Sequence, residues 1–179
     1  MHNILVTGAD GQLGREMRTL GAASRHRYFF TDVADLDITD ANTVRRFVEN
    51  ERIDAIVNCA AYTNVDKAEE EVETADRINR EAVRNLAEAA KACDATLFHI
   101  STDYVFGGVG NTPFREEDPT APLGITGITG RFRSGGNSDL RRRPGPRDLR
   151  PHRIRRLCRT GALLPLLERR SLLLVRFRP

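Results

Sequence analysis

The sequence predicts an α/β fold in which a doubly wound parallel sheet is covered by helices on both faces. Short apolar runs alternate with amphipathic segments over about the first hundred residues. The apolar runs show little apolar–polar alternation, which is typical of strands buried on both faces. A glycine-rich turn joins the first run to the first amphipathic segment, as expected where a strand leads into a right-handed crossover helix.

Local patterns predict a parallel sheet of four to five strands, four of which can be placed, and three helices. The strands follow from apolar runs near residues 3–7, 28–32, 55–58 and 96–100. The helices follow from apolar residues at helical spacing over residues 11–23, 40–51 and 73–93. Asp40 is suited to cap the second helix, because its carboxylate can accept hydrogen bonds from the free N–H groups at a helix start.

The composition changes sharply after residue 124. Residues 131–179 carry 15 Arg, no Lys and 3 acidic residues, a net charge of +12. Residues 1–130 carry 13 basic and 22 acidic residues, a net charge of −9. We therefore divide the chain into a truncated α/β domain over residues 1–124 and an irregular, arginine-rich tail over residues 125–179. The apolar end of the tail predicts a short helix or strand without indicating where it packs.

Three widely spaced cysteines, Cys59, Cys93 and Cys158, indicate neither a disulfide framework nor a metal site. They fit buried positions in a reducing compartment. The chain opens directly into a predicted strand, and no apolar run reaches membrane-spanning length. We therefore expect a cytoplasmic protein with no membrane segment and no metal site.

Gly8, Gly11 and Gly14 form a GxxGxxG pattern between the first predicted strand and the first predicted helix. In such a pattern the first glycine permits a tight turn, and the second lets a pyrophosphate approach the backbone. The third lets helix and strand pack closely. Free N–H groups at the helix N-terminus then bind the phosphates. The pattern predicts a Rossmann-type dinucleotide site, with a purely structural turn as the alternative.

Asp32 ends the second predicted strand, 18 residues after the last glycine of the pattern. An acid in this place can accept hydrogen bonds from the adenosine ribose hydroxyls, although a loop or capping aspartate is the alternative. The negative charge would repel a 2′-phosphate and so favours NADH, whereas the nearby Arg25 and Arg27 could offset it. Asp37 and Ile38 follow where they could flank the adenine.

Small and hydroxyl residues follow the third and fourth predicted strands. Ala60 and Ala61 permit close approach of a cofactor after the third strand. Ser101 and Thr102 end the fourth, where a hydroxyl can bond a substrate carbonyl and stabilise its developing negative charge. Strand-end capping is the alternative for these hydroxyls. His99 lies within the fourth strand and is expected to be a satisfied core residue rather than a catalytic group.

Six blocks in continuous order over about residues 1–124 resemble the dTDP-4-dehydrorhamnose reductase family of the extended short-chain dehydrogenase/reductase superfamily. The blocks are ILVTGADGQLG, DVADLDITD, VNCAAYTNVDKAE, INREAVRNLAEAA, HISTDYVF and FREEDPTAPLG. The resemblance implies an enzyme that uses NADH or NADPH to reduce dTDP-4-dehydro-6-deoxy-L-mannose to dTDP-L-rhamnose, for nucleotide-sugar and cell-surface polysaccharide synthesis. It also implies a dTDP-sugar as the partner and, for the full-length family, a homodimer.

The resemblance and the motifs together predict the site residues of this chain. The expected cofactor contacts lie in the glycine turn, on the adenosine side and after the third strand: Gly8, Gly11, Gln12, Leu13, Gly14, Asp32, Asp37, Ile38, Ala60, Ala61, Tyr62 and Thr63. The resemblance implies that Thr102 is the catalytic hydroxyl residue and contacts substrate. It implies a neighbouring substrate contact at Asp103.

The Tyr-x-x-x-Lys motif of the family does not occur at its expected place. In the family, the tyrosine donates a proton to the reduced carbonyl oxygen and the lysine lowers the tyrosine pKa. The matching positions here are Thr126 and Gly130, and no lysine follows Lys91. Arg-, Pro- and Gly-rich sequence is typical of GC-rich DNA read out of frame. We therefore expect a reading-frame shift near codon 124 and a polypeptide without reductase activity.

Two other functions are open alternatives. One is a non-catalytic nucleotide-binding or regulatory protein. Such a protein would keep the cofactor-binding half of the fold and would have no need of the tyrosine and lysine. Nucleic-acid binding through the tail is the third hypothesis, because clustered arginines neutralise phosphates. No aromatic residues are interleaved with those arginines to support it, and Phe132 and Phe177 are far apart. We therefore do not expect nucleic acid as the partner.

Overall fold

Four parallel strands form most of a five-stranded sheet. The computed structural model describes residues 1–107, residue 121 and the backbone of residues 172–177. The strands are Asn3–Thr7 (β1), Arg27–Thr31 (β2), Ala55–Asn58 (β3), Thr96–Thr102 (β4) and Leu172–Phe177 (β5). Their order is β2-β1-β3-β4-β5, and the first three pairings across the sheet are parallel. The predicted doubly wound α/β fold is confirmed.

Helices connect the parallel strands. They are Gln12–Ala22 (α1), Ala41–Asn50 (α2), Val65–Glu70 (α3), Val72–Asp76 (α4) and Ala82–Ala92 (α5). A π-helical segment, Arg77–Glu81, joins α4 to α5, and a 3₁₀ turn, Asp103–Val105, follows β4. The single helix predicted over residues 73–93 is therefore interrupted by a wider turn, a feature that recurs at functional sites.

Two apolar layers pack on opposite faces of the sheet. Side chains alternate across a strand, so neighbours such as Leu97 and Phe98 face different layers. Leu5, Ile56 and Leu97 pack with α2 and α5, whereas Val6, Val57 and Phe98 pack on the face that carries α1. Burial on both faces explains why the strand sequences are almost continuously apolar.

Asp40 caps α2 as its position in the sequence predicts. Its carboxylate accepts the N–H groups of Asn42 at 2.9 Å and Thr43 at 3.3 Å, and the Thr43 hydroxyl at 2.6 Å. These hydrogen bonds, that from the Thr43 hydroxyl first, lower the pKa of Asp40. The cap starts α2 directly after the loop that follows β2, and so sets the length of that loop.

The last strand, β5, lies in the apolar end of the tail, where the sequence predicts a short helix or strand without indicating a packing partner. β5 pairs antiparallel with β4, with Leu172 opposite Thr102 and Phe177 opposite Leu97. The outer edge of β4 offers unpaired N–H and C=O groups, and a run of apolar residues suited to a strand satisfies them. The domain boundary at residue 124, the tail over residues 125–171, Cys158, Thr126 and Gly130 lie outside the described residues.

Among the residues that the structure describes, no helix combines the length and the apolar composition that crossing a bilayer requires.

We predict that Gly14→Ala destabilises the fold by about 1–3 kcal/mol, as overpacking does. A Cβ at Gly14 would lie 2.5 Å from Ala9 Cα, and backbone cannot yield as a side chain can. Gly21→Ala in the same helix is the matched control. There the nearest atom is Phe30 Cζ at 3.0 Å, and alanine is favoured within a helix by about 1 kcal/mol. Urea unfolding measures both, and equal stabilities of the two variants would contradict the packing described.

Candidate functional site

A cleft of about 1230 Å³ lies at the carboxyl edge of the parallel strands. It exceeds the usual volume of a small-molecule pocket, roughly 300–1,000 Å³. Twelve of the predicted site residues line it: Gly8, Gly11, Gln12, Leu13, Asp32, Asp37, Ile38, Ala60, Ala61, Tyr62, Thr63 and Thr102. The structure thus brings together residues that are far apart in the sequence.

The glycine turn forms one wall of the cleft. Gly8 has a φ of +66°, in the left-handed region that glycine adopts without strain. A Cβ at Gly8 would lie 2.6 Å from Ala60 Cα, so the turn contacts the backbone after β3 directly. The Gly11 N–H donates to the Gly8 carbonyl at 3.2 Å, which closes the turn. Gly14 lies behind this wall and lets α1 approach Ala9.

The N-terminus of α1 opens onto the cleft. Its N-cap is Gly11, which has no side chain to cap the helix, and the first turn carries no acid. Backbone N–H groups and the positive end of the helix dipole therefore face the cleft. Arg15 adds a cation to the same lining. This arrangement suits a phosphate or pyrophosphate group.

Asp32 connects the glycine turn to the end of β2. One carboxylate oxygen accepts the Asp10 N–H at 2.9 Å, and the other accepts the Val33 N–H at 2.8 Å. A carboxylate has further lone pairs, so these bonds leave Asp32 able to accept from a ligand hydroxyl. Asp10 also contacts Arg18 at 3.1 Å.

Arg27, one of the two arginines expected to be able to offset the charge of Asp32, lies at the opposite end of β2 from it. Arg27 is the first residue of β2 and Thr31 the last, so the strand separates Arg27 from the cleft by about 13 Å at 3.3 Å per residue. The guanidinium of Arg27 instead lies over the Phe29 ring, 4.6 Å from its centroid. Arg15 and Arg77 line the cleft.

The loop that carries Asp37 and Ile38 is held by α5. The Asn85 side chain donates to the carbonyl oxygens of Ile38 and Thr39, both at 3.1 Å. Asp37 accepts the Thr39 N–H at 2.9 Å and its hydroxyl at 2.7 Å. These hydrogen bonds therefore hold the loop in place. Ile38 is buried and lines the cleft.

The loop after β3 is held by the π-helical segment. Asn79 accepts the Tyr62 N–H at 2.8 Å and donates to the Tyr62 carbonyl at 3.1 Å. The Tyr62 hydroxyl donates to Glu71 at 3.0 Å. Partial burial, and then this hydrogen bond, raise the pKa of Tyr62. Two hydrogen bonds to the backbone of Tyr62 fix the segment that carries Ala61 to Thr63.

The end of β4 presents Thr102 to the cleft. Its hydroxyl oxygen accepts the Tyr104 N–H at 3.3 Å, so the strand-end capping considered for this residue does occur. Capping and a role toward a ligand are compatible, because a hydroxyl can both accept and donate hydrogen bonds. Asp103 begins the following 3₁₀ turn, and its side chain lies outside the described residues.

His99 is buried, but it is less satisfied than a core residue is expected to be. Its Nδ1 lies 3.0 Å from Asn58 Nδ2. Within the described part of the chain, its Nε2 and the Ser101 hydroxyl oxygen have no hydrogen-bond partner. Both residues border the cleft. Burial lowers the pKa of His99 to about 4, so the ring is neutral at pH 7.

Sequence reasoning missed three asparagines that shape the site: Asn58, Asn79 and Asn85. All three are buried polar residues. Each lies in an otherwise apolar strand or helix face, where an unpaired amide would be costly. That signal indicates a hydrogen-bonding role, although it does not identify the partners, which come from distant parts of the chain.

No group of three or more histidine, cysteine or acidic side chains in the described ranges is arranged to hold a metal ion. Burial raises the pKa of the Cys59 thiol to about 12, so this cleft-lining cysteine is not a thiolate at pH 7.

Residues 1–132 match the family described as the RmlD substrate binding domain. The chain belongs to this family. Among curated relatives, the dTDP-4-dehydrorhamnose reductase of Mycolicibacterium smegmatis is 49% identical over 127 residues, which cover 70% of this chain and 38% of the relative. That of Streptomyces griseus is 46% identical, covering 71% of this chain and 42% of the relative. The chain thus spans about two fifths of the length of these relatives.

Solved structures of the family superpose on the same part of the chain. A dTDP-4-dehydrorhamnose reductase from Clostridium acetobutylicum has a TM-score of 0.69 at 42% identity, covering 71% of this chain and 45% of the other. One from Bacillus anthracis, in complex with NADP, has a TM-score of 0.67 at 37% identity, covering 72% of this chain and 46% of the other. The resemblance seen in the six sequence blocks is confirmed.

We predict that stability falls as the pH drops from about 6.5 to 4, because the unfolded chain takes up a proton at His99 that the folded chain excludes. A shift from 6.5 to about 4 corresponds to at most about 3 kcal/mol. The stability is fully present above pH 6.5 and is lost toward the folded pKa. The lowered pKa values of Asp40 and Asp76 act only below about pH 3.8.

Urea unfolding between pH 7 and 4.5 measures this dependence, and His99→Gln is the matched variant. The variant should lose the part of the slope that belongs to His99, whereas the lowered pKa of His26 acts in the same direction in both chains. An unchanged slope would show that His99 is not the group responsible.

Proposed function

We propose that residues 1–124 form the NAD(P)-binding domain of a reductase whose full-length relatives reduce the 4-keto group of dTDP-4-dehydro-6-deoxy-L-mannose. The observation that carries the proposal is the glycine turn, which presents the N-terminus of α1 to a cleft between strands of a doubly wound sheet. Dinucleotides bind at such a place in folds of this class. The family match over residues 1–132 supports the choice of reaction.

The residues present fit a dinucleotide. A Cβ at Gly8 or Gly14 would meet backbone atoms within 2.6 Å. Glycine at these positions therefore lets two backbone segments come closer than any side chain would allow. Gly11, Gln12 and Leu13 would hold the pyrophosphate through the start of α1. When bound, the reduced cofactor supplies a hydride.

Further contacts follow the edge of the sheet. Asp32 would accept from the adenosine ribose, and Asp37 and Ile38 would flank the adenine. The backbone from Ala60 to Thr63, fixed by the π-helical segment, would contact the cofactor beyond the pyrophosphate. Each of these side chains or backbone segments lines the cleft.

Thr102 is the proposed catalytic hydroxyl. It lies at the end of β4 in the cleft lining, and a hydroxyl there can donate to a carbonyl oxygen on which negative charge develops. Asp103, the next residue, is the proposed neighbouring substrate contact.

Either NADH or NADPH is proposed as the cofactor. The Bacillus anthracis relative was solved with NADP, and the similar RMD of Pseudomonas aeruginosa, 25% identical with a TM-score of 0.61, with NADPH. In this chain Arg15 and Asp32 both line the cleft, with opposite effects on a 2′-phosphate. The homodimer and the cytoplasmic location stay predictions.

We propose that this polypeptide lacks useful reductase turnover. Thr126 and Gly130 stand where the family has its tyrosine and lysine, and neither can act as the proton donor or its cationic partner. A reading-frame shift near codon 124 accounts for the change in composition, and the family match ends close by, at residue 132. The DNA tests this directly, since an alternative frame should restore a Tyr-x-x-x-Lys motif. The alternative function is a non-catalytic nucleotide-binding or regulatory protein.

Cofactor binding is the first test. Titration of the full chain with NADPH and with NADH, followed by nicotinamide fluorescence, should show weak, saturable binding of both. Asp32→Asn keeps an oxygen acceptor and removes the charge. It should therefore shift the affinity ratio toward NADPH by roughly tenfold, about 1.4 kcal/mol.

Glu16→Gln is the control for that shift. Glu16 is also an acid of the cleft lining, but it lies on α1. Its substitution should leave the ratio within about twofold. Absence of binding to the wild-type chain would refute the proposed function, whereas equal shifts in both variants would refute only the role of Asp32.

Turnover is the second test. General acid catalysis typically contributes about 10²–10⁴-fold, and substrate positioning contributes more. The turnover number for NADH or NADPH oxidation in the presence of the dTDP-keto-sugar should therefore stay far below the ordinary range of enzyme turnover numbers, which begins at about 1 s⁻¹. A turnover number of that size would show that another group donates the proton.

A further inference from the structure

Thr7, Asn58 and His99 form a polar row across the carboxyl ends of three strands. Thr7 pairs with Asn58 in the β1–β3 register, and Asn58 pairs with His99 in the β3–β4 register. Their exposed fractions are 1%, 0% and 4%, so the row is closed to solvent. Two residues earlier in the same strands, and on the same face of the sheet, lie Leu5, Ile56 and Leu97. They belong to the apolar layer that packs with α2 and α5.

The row has one consistent arrangement of protons. The Ala60 N–H can only donate, and it donates to Asn58 Oδ1 at 3.1 Å. The Thr7 hydroxyl donates to the same oxygen at 2.7 Å. The Asn58 NH₂ group must then face His99, whose Nδ1 lies 3.0 Å away and accepts. The neutral ring therefore carries its proton on Nε2.

The Asn58 amide reaches the cleft through Ala60. The backbone of Ala60 lies so close to Gly8 that a Cβ at Gly8 would be 2.6 Å from the Ala60 nitrogen. If the amide of Asn58 turned over, its NH₂ group would face the Ala60 N–H, and that hydrogen bond would be lost, whereas the Thr7 hydroxyl could accept instead of donate. The side of the amide that faces Ala60 thus depends on an acceptor at His99 Nδ1.

We propose that His99 is a positioning residue for the dinucleotide. Through the Asn58 amide, its Nδ1 acceptor holds the Ala60 backbone against the glycine turn, so that both walls of the cleft keep the spacing that the cofactor needs. This inference rests on the proposed function for the identity of the ligand. His99 touches neither the cofactor nor the reacting atoms in this role.

Two substitutions at residue 99 separate this role from simple packing. His99→Asn keeps an acceptor near the position of Nδ1 but leaves space where the rest of the ring lay. His99→Phe fills the space but removes the acceptor. If the acceptor matters, NADPH affinity should fall by about tenfold in His99→Phe and stay within about threefold in His99→Asn.

Thermal unfolding of the same variants provides the comparison. If His99 served only to fill the core, affinity would follow stability and His99→Asn would bind more weakly than His99→Phe. That order, or unchanged affinity in His99→Phe, would overturn the proposal. Wild-type chain that binds neither NADPH nor NADH would instead refute the proposed function and, with it, the ligand named here.

A second readout needs no cofactor. In ¹⁵N spectra of the full chain at pH 7, His99 should show a protonated Nε2 and an unprotonated Nδ1, with its signals assigned by their loss in His99→Asn. The chain has 4 histidines, so the assignment is direct. A proton on Nδ1 would mean that Asn58 does not donate to the ring, and the proposal would be wrong whatever the affinities are.

Discussion

The close approach of three backbone segments at the carboxyl edge of the sheet is the constraint on which the rest of the structure depends. Gly8 packs against Ala60, and Gly14 packs against Ala9, at distances that exclude even a methyl group. The first contact joins the ends of β1 and β3, and the second sets α1 directly above the turn. Because both are backbone contacts, no rotamer change can relieve a larger residue at either glycine.

Buried asparagine side chains convert that close packing into a defined cleft. Asn85 holds the loop after β2, Asn79 holds the loop after β3, and Asn58 holds the start of that same loop from beneath. Each amide bonds backbone groups that would otherwise be unpaired at a sheet edge. A hydrogen bond contributes only about 0.5–1.5 kcal/mol net, but removing one partner of a buried pair costs more. The loops are therefore held in one arrangement.

The sequence predicted the parallel part of the fold well because that part depends on local patterns. Four apolar runs, a glycine turn and a capping aspartate at residue 40 are each visible within a few residues, and the carboxyl ends of parallel strands meet at one edge. The gathering of most predicted site residues around one cleft has the same origin. In contrast, the roles of Asn79 and Asn85 depend on which distant carbonyl or N–H group the fold brings to them.

Other differences have the same physical origin. The π-helical segment interrupts a stripe whose apolar spacing predicts an uninterrupted helix, and β5 pairs with an edge strand that its own composition does not indicate. Arg27 is close to Asp32 in the sequence. However, Arg27 begins β2 and Asp32 follows its last residue, so the two residues lie at opposite ends of an extended strand. Arg15, which is farther from Asp32 along the chain, lines the same cleft as Asp32.

The central claim is that the cleft between the glycine turn and the loops after β2 and β3 binds a dinucleotide. Hydrogen–deuterium exchange of the full chain, with and without saturating NADPH, tests it most directly. We predict added protection in three separate segments, residues 8–15, 32–39 and 58–63, with little change in the middle of α2 or α5. Protection confined to other segments, or none in the glycine turn at saturation, would contradict the account.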